Sequence, residues 1–155
     1  MTADRGRRAR LRLAALGVAA LTLVPGGAAA TPGEGVTAET LATGTSAGAL
    51  DLRTRGATDV TMRVITIEPG GSTGWHYHPG GLLAVVASGT LTRVVDGCAV
   101  EVSTAGDAVL EPAGADHVHI GRNLGSEPVV LYATYLVPEG SPLAVDAEDP
   151  GCEAP

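Results

Sequence analysis

Residues 70–89 read GGSTGWHYHPGGLLAVVASG, and two of the four histidines of the chain lie in this stretch, at His76 and His78. Glycine-rich turns flank the segment 74–79, so it is predicted to be a short strand. Residues i and i+2 of a strand point to the same face of the sheet. The two imidazoles are therefore predicted to share one face, with Trp75 and Tyr77 on the other.

The other two histidines repeat this spacing at His117 and His119. Imidazole is the commonest protein ligand for divalent metals. A single H-x-H is more often a pair of surface histidines, but two pairs that use every histidine of the chain predict one metal-binding cluster. Neutral imidazoles suit a divalent transition metal, that is Fe, Mn, Ni, Cu or Zn, and do not suit Ca or Mg.

Residues 59–138 are a succession of short apolar runs separated by turn signals, with the runs at 59–68, 74–79, 82–87, 90–95, 99–104, 108–111, 117–122 and 128–137. Asp96-Gly97 between two of these runs predicts a two-residue type I′ hairpin turn. No segment after residue 30 has a helical apolar period over ten residues. These features predict an all-β domain, a small antiparallel β-barrel or jelly roll. Residues 31–58 are predicted to be a leader with one edge strand around 36–42.

Residues 1–30 have the order of a secretory signal peptide. Five arginines precede residue 13, an apolar run covers 13–24, and small residues lead to Ala30. The apolar run is short for a membrane span, so cleavage after Ala30 is favoured over retention as an anchor. The protein is therefore predicted to be exported to the cell envelope or the medium. The general secretory route and the twin-arginine route both stay open, the second because Arg7 and Arg8 are adjacent.

Removal of residues 1–30 leaves an acidic chain of 125 residues that contains no lysine. The removed segment contains five of the ten basic residues and only one of the seventeen acidic residues, so the formal charge of the remaining chain is −11. Such a surface repels phosphate backbones and anionic lipids, which argues against nucleic-acid and membrane-surface partners. The remaining length suits one domain with one core.

Two cysteines remain after cleavage, Cys98 beside the predicted hairpin turn and Cys152 near the C-terminus. In an exported protein an even pair usually forms a disulfide, and closing a loop of this length stabilises the fold by about 4 kcal/mol. Two unpaired thiols are the alternative. Residues 139–155 are acidic and rich in turn formers, and they are predicted to form a strap across the domain that Cys152 holds in place.

The residues around both histidine pairs resemble the two sequence motifs of the cupin superfamily. The matching residues are Gly70, His76, His78 and Gly89 in the first motif, and Gly106, Pro112, Gly114, His117, His119 and Asn123 in the second. The resemblance covers roughly residues 59–138. It implies the RmlC-like jelly roll of cupins, with one metal ion inside.

The first motif departs from the family pattern at its carboxylate ligand. The glutamate that precedes Gly89 in the pattern is absent, since Leu82 and Leu83 occupy its two permitted positions. Glu111 is a conceivable replacement. Because it stands beside Pro112, it is expected instead to face solvent or to cap a turn.

The second motif is two residues longer than the pattern, so either His117 or His119 can be the third ligand. The resemblance favours His119, because the ending His119, Arg122 and Asn123 looks like that of related bacterial cupins. His117 is then a fourth ligand, a group behind the ligands, or an acid–base in the pocket.

Three hypotheses of function follow. The resemblance implies a metal-dependent enzyme with dioxygenase- or isomerase-like chemistry on a small molecule, and three histidines would leave about three positions of an octahedral metal open. The second hypothesis is a non-catalytic cell-envelope module that binds a metal or a small ligand. The third is a structural domain with a vestigial site, because Leu82 already breaks the motif. Cupins often pair through edge strands, so a homodimer is also expected.

Overall fold

A computed structural model describes residues 34–152, and the predicted signal peptide lies outside this range. The described part of the chain contains ten β-strands and no α-helix. No helix within it is long and apolar enough to cross a membrane. The strands are β1 Thr45–Ser46, β2 Thr58–Ile67, β3 His76–Tyr77, β4 Gly81–Ser88, β5 Thr90–Val95, β6 Ala99–Thr104, β7 Asp107–Glu111, β8 Ile120–Arg122, β9 Val129–Pro138 and β10 Val145–Asp146.

These strands form three sheets. The largest has the order β1-β7-β4-β9-β2, the second has the order β6-β5-β8, and the third consists of β10 and β3. All pairings are antiparallel except that of β1 with β7. The sheets are not closed into a barrel, and the arrangement is like a jelly roll. The prediction of an all-β jelly roll is confirmed.

The core follows from the two-residue period of the central strands β4 and β9. Alternate residues of these strands are buried and form cross-strand pairs, namely Leu82 with Tyr135, Ala84 with Ala133 and Val86 with Leu131. Leu91 of β5 packs in the same cluster as Val86 and thereby joins the second sheet to the first. Each fully buried aliphatic side chain contributes about 1.5–3 kcal/mol. This inner face forms the wall behind the histidines.

The first strand begins later than the sequence predicts. Residues 36–43 form no strand, and β1 starts at Thr45, where it pairs with β7. Gly44 allows the approach, because a Cβ at this position would lie 2.9 Å from Cγ1 of Val85. The edge-strand prediction is corrected from around 36–42 to Thr45–Ser46.

The hairpin between β5 and β6 has three connecting residues instead of two. Val95 pairs with Ala99, and Asp96–Cys98 form a single 3-10 turn. Positive φ angles occur at Gly97 and Cys98, at 66° and 63°. The type I′ prediction is therefore wrong in register by one residue, because Asp96 does not take the left-handed conformation.

The C-terminal segment is tied to the domain in two ways. Cys98 and Cys152 form a disulfide with a Cα–Cα distance of 5.3 Å, as predicted. The segment also contains β10, in which Val145 pairs with Tyr77 and Asp146 with His76. The tail is thus partly a strand, and it lies directly beside the first histidine pair.

Candidate metal centre

Three of the four histidines come together inside the domain. One ring nitrogen from each of His76, His78 and His119 lies within 4.8 Å of the others. His78 and His119 are only 2% and 4% exposed, and His76 is half-buried. The cluster joins both H-x-H segments, as the sequence predicts, and it could hold a metal ion.

Backbone pairing brings the two segments together. The N–H groups of His76 and His119 each donate to the carbonyl of the other residue, at 3.0 and 2.9 Å. His78 forms a further bridge with Ala113. The two histidines of the first segment are therefore directed to one side by an extended backbone, and His119 is opposite them.

Each of the three rings is oriented by a backbone carbonyl. Nδ1 lies 2.9 Å from the Gly74 oxygen in His76, 2.7 Å from the Leu143 oxygen in His78, and 2.9 Å from the His117 oxygen in His119. A carbonyl only accepts hydrogen bonds, so each Nδ1 carries the proton and donates. Nε2 of each ring is left as the metal-ligating atom, and such carbonyl partners are typical of histidines that bind metals.

His117 lies outside the cluster. Its Nδ1 is 2.6 Å from Oδ2 of Asp96, and its side chain is 30% exposed. The backbone explains this difference, because the His117 N–H donates to the Gly114 carbonyl across a turn. The extended backbone starts only near His119, so the i and i+2 rule does not apply to this pair. Of the roles predicted for His117, the structure places its carbonyl behind His119 and directs its ring to Asp96, outside the cluster.

Glu111 is directed into the same space from the end of β7. Its side chain is 13% exposed, and its Oε2 lies 3.0 Å from Nε2 of His78 and 3.3 Å from Nε2 of His119. The expectation that Glu111 faces solvent or caps a turn is wrong. The period of β7 places it on the inner face together with Val109, a signal that was present in the sequence.

Arg93 lies behind Glu111, and neither sequence motif points to it. This arginine is 5% exposed, and its Nη1 donates to Oε1 of Glu111 at 3.3 Å. Its Nη2 donates to Glu101, which faces it across the β5–β6 pairing. An arginine in the middle of the apolar strand TLTRVV was the available signal, because a buried arginine requires carboxylate partners.

The charges around the cluster shift its pKa values in different directions. Burial alone would raise the pKa of Glu111, but His119, His78 and Arg93 hold it well below its usual range. Burial acts to lower the pKa of His119, yet the Glu111 carboxylate outweighs it and the pKa is raised. The pKa of His76 is lowered, chiefly by burial. The carboxylate is therefore ionised at neutral pH.

A small interior cavity adjoins these groups. Its volume is about 60 Å³, which exceeds the roughly 10–15 Å³ that one water molecule requires. The wall is largely aliphatic, with Leu82 and Ile65 among its members. Tyr135 also reaches it, and its ring packs against that of His78 with the centroids 5.5 Å apart. The pocket is small, largely aliphatic and open to the cluster.

Asn123 supports the second segment from a fully buried position. Its Nδ2 donates to the carbonyls of Ile67 and Glu127, both at 2.8 Å, and its Oδ1 accepts from the N–H of Gly125 at 3.0 Å. These bonds join the end of β2 to the loop before β9. The residue holds backbone and does not reach the cluster.

Comparison with known proteins gives the same family as the motifs. Residues 63–135 match the family model for the cupin domain. An uncharacterized conserved protein with a double-stranded beta-helix domain from Klebsiella pneumoniae is 24% identical, with a TM-score of 0.50 over 63% of this chain and 90% of that one. The DMSP lyase DddQ from Ruegeria pomeroyi is 20% identical, also with a TM-score of 0.50, over 59% of this chain and 45% of that one.

A recombinant oxalate oxidase in complex with glycolate is 23% identical, with a TM-score of 0.48 over 56% of this chain and 45% of that one. At these identities the two structures with a TM-score of 0.50 bear on the fold alone. No curated protein matches the sequence.

Proposed function

The chain belongs to the cupin superfamily, and from this premise we propose that it binds one divalent transition metal through His76, His78 and His119 and acts on a small molecule. The observation that carries the proposal is the common orientation of the three rings. Each Nδ1 donates to a backbone carbonyl, which leaves three Nε2 lone pairs in one cluster.

A buried atom without a partner supports the same assignment. Nε2 of His119 lies 3.3 Å from Glu111, but it has no hydrogen-bond partner of acceptable geometry among residues 34–152. A buried polar atom left unpaired costs about 1–3 kcal/mol. A metal ion bonded to this nitrogen would offset that cost. Imidazole nitrogens fit Fe, Mn, Ni, Cu or Zn.

When bound, the metal would supply a Lewis acid or a redox centre. The chain itself contributes the fixed orientation of the rings and an aliphatic wall, with Leu82 and Ile65, that keeps bulk water out. Dioxygenase- or isomerase-like chemistry on a small polar molecule is the reaction class that we propose.

A non-catalytic binding module is the second candidate, and one observation favours it. The interior cavity of about 60 Å³ holds a metal with its waters or a ligand of a few atoms. A larger substrate would extend beyond this cavity, whereas a metal ion or a very small ligand would not.

Export and self-association are further parts of the proposal. The order of residues 1–30 is that of a signal peptide, and the Cys98–Cys152 disulfide is typical of an oxidising compartment. Edge-strand pairing into a homodimer is checked by light scattering after size-exclusion chromatography.

Metal analysis of protein purified without a chelating resin tests the metal assignment. We expect about one equivalent of a transition metal, and replacement of His76 and His78 by alanine should abolish it while the β-type circular dichroism spectrum persists. Less than about a tenth of an equivalent in the unsubstituted protein, after incubation with each candidate metal, would contradict the proposal.

Oxygen consumption separates the enzyme from the binding module. The iron-loaded protein is assayed with a panel of thiols, diketones and catechols, and the variant with alanine at positions 76 and 78 is the matched control. Turnover that depends on the two histidines supports the enzyme. Full metal occupancy without turnover on any of these substrates favours the binding module.

A further inference from the structure

The geometry points to Glu111 as a fourth metal ligand, supplied from β7 and held in position by Arg93. This inference rests on the proposed metal site. Glu111 lies on β7, the strand next to β4. The motif resemblance places a carboxylate ligand on β4, at the position of Leu82. Leu82 and Glu111 are direct partners in the β4–β7 pairing, so the carboxylate enters the same interior from the neighbouring strand.

The distances fit a shared metal ion. Ligand atoms bonded to one ion at about 2.1 Å are about 3.0 Å apart at right angles and about 3.4 Å apart in a tetrahedron. Oε2 of Glu111 lies 3.0 Å from Nε2 of His78 and 3.3 Å from Nε2 of His119. Oε2 is thus separated from each of these two nitrogens by the distance expected between neighbouring ligands of one ion.

The hydrogen-bond directions require a positive charge between these atoms. Nδ1 of His78 and Nδ1 of His119 both donate to carbonyls, so the Nε2 atoms of the neutral rings are acceptors. A carboxylate oxygen is an acceptor too. Acceptors facing each other at about 3 Å in a buried site are unfavourable unless a proton or a metal ion lies between them.

Arg93 accounts for the direction of the carboxylate. Its Nη1 donates to Oε1 of Glu111, so that Oε2 remains for the histidines. Oε2 is directed at the ring nitrogens of His78 and His119. Arg93 is therefore a positioning residue for this ligand.

The test compares metal affinities of the full chain for Zn(II) and Co(II). Glu111→Gln keeps the size of the side chain and removes its charge. Glu101→Gln is the matched control, because Glu101 is the other carboxylate on Arg93, lies half-exposed and does not reach the histidines. We expect Glu111→Gln to weaken metal binding at least 10- to 100-fold, which is the range for loss of a residue that hydrogen-bonds to a metal ligand. We also expect it to change the Co(II) absorption spectrum. Glu101→Gln should stay within about threefold.

A positional exchange makes the test sharper. Glu111→Leu should lose affinity, and the double variant Leu82→Glu/Glu111→Leu should recover part of it, since the two positions are cross-strand partners. Zn(II) affinity and a Co(II) spectrum within about threefold of the unsubstituted values in Glu111→Gln would overturn the inference. If the histidine variants keep their metal as well, the proposed metal site itself has failed.

A crystal structure of the unsubstituted protein tests the inference even if the variants do not fold. In a crystal structure of the zinc-loaded unsubstituted protein, anomalous scattering locates the ion. We expect a Glu111 oxygen at about 2.0–2.2 Å from it. An ion bound by the three histidines with Glu111 beyond about 3 Å would overturn the inference and leave the metal site intact.

Discussion

The two H-x-H segments have the same spacing and different structures. Both rings of His76-Tyr77-His78 join the cluster, whereas only His119 of the second segment does so, and His117 faces Asp96. The first segment starts in β3, which pairs with β10, and His78 bridges to Ala113, so its backbone is extended. The second segment starts in a turn closed by the Gly114 carbonyl. Spacing in the sequence predicts a common face only where the backbone is extended.

The two segments also differ in their carboxylate partners. Asp96 beside His117 is 53% exposed, while Glu111 beside His78 and His119 is 13% exposed. An exposed pair is screened by water and contributes little, whereas a buried carboxylate must be matched by a positive charge. The four predictions below test this contrast.

The largest difference is expected between the two histidines of the second segment. His119→Ala removes a ligand and should weaken Zn(II) binding by at least about 100-fold. This exceeds the loss of affinity expected when a residue that only hydrogen-bonds to a ligand is removed. His117→Ala should change the affinity by no more than two- to threefold, since the carbonyl that orients His119 is retained. Isothermal titration with zinc measures both. Equal losses in the two variants would show that the His117 ring is a ligand after all.

Arg93→Met should strongly destabilise the metal-free protein. It leaves Glu111 buried without its cation, which costs about 3–5 kcal/mol of unfolding free energy. Zinc should reduce this loss, because a bound ion also neutralises the carboxylate. Urea unfolding with and without zinc measures both values. A loss below about 1 kcal/mol without zinc would mean that the ion pair is of the weak, solvent-screened kind.

Removal of the disulfide is expected to have the next-largest effect. The double variant Cys98→Ser/Cys152→Ser should lower the unfolding free energy by about 2–4 kcal/mol. Because the Leu143 carbonyl in the tail orients His78, zinc affinity should fall with it. Urea unfolding and zinc titration of the same samples test the link. Unchanged zinc affinity in the destabilised variant would mean that β10 holds the tail without the disulfide.

The smallest effect is expected for the exposed carboxylate. Asp96→Asn should cost less than about 1 kcal/mol and leave zinc affinity unchanged, because the pair with His117 is open to water. Thermal unfolding followed by circular dichroism measures the cost. A loss as large as that of Arg93→Met would contradict the contrast between the two segments.

Much of the fold was predictable because its signals are local. The alternation in 128–137 predicted β9, and the apolar run 82–87 predicted β4. The positions that failed depend on a partner strand. Thr45 and Ser46 form β1 only because β7 lies beside them, and Gly44 permits that approach. The hairpin at Asp96 shifted by one residue, since its register depends on how β5 and β6 align.

The candidate site was predictable only where its signals are local in the sequence. The i and i+2 spacing was sufficient to predict that His76 and His78 act together, and the motif resemblance favoured His119 over His117. Glu111 is hard to predict as a site residue, because its neighbour Pro112 suggests a turn. Arg93 had no pattern that linked it to the histidines, since it comes from another strand and meets them only through Glu111.

The sequence by itself determined the fold class, the family, the disulfide pair and the two segments that carry the cluster. These follow from side-chain periodicity, turn residues and motif spacing, which are properties of adjacent residues. Only the tertiary structure decided that the His119 ring enters the cluster and the His117 ring does not, and that Glu111 faces them from β7. Those choices depend on strand register and on a turn at Gly114, and such long-range pairing is set by the packing of the whole domain.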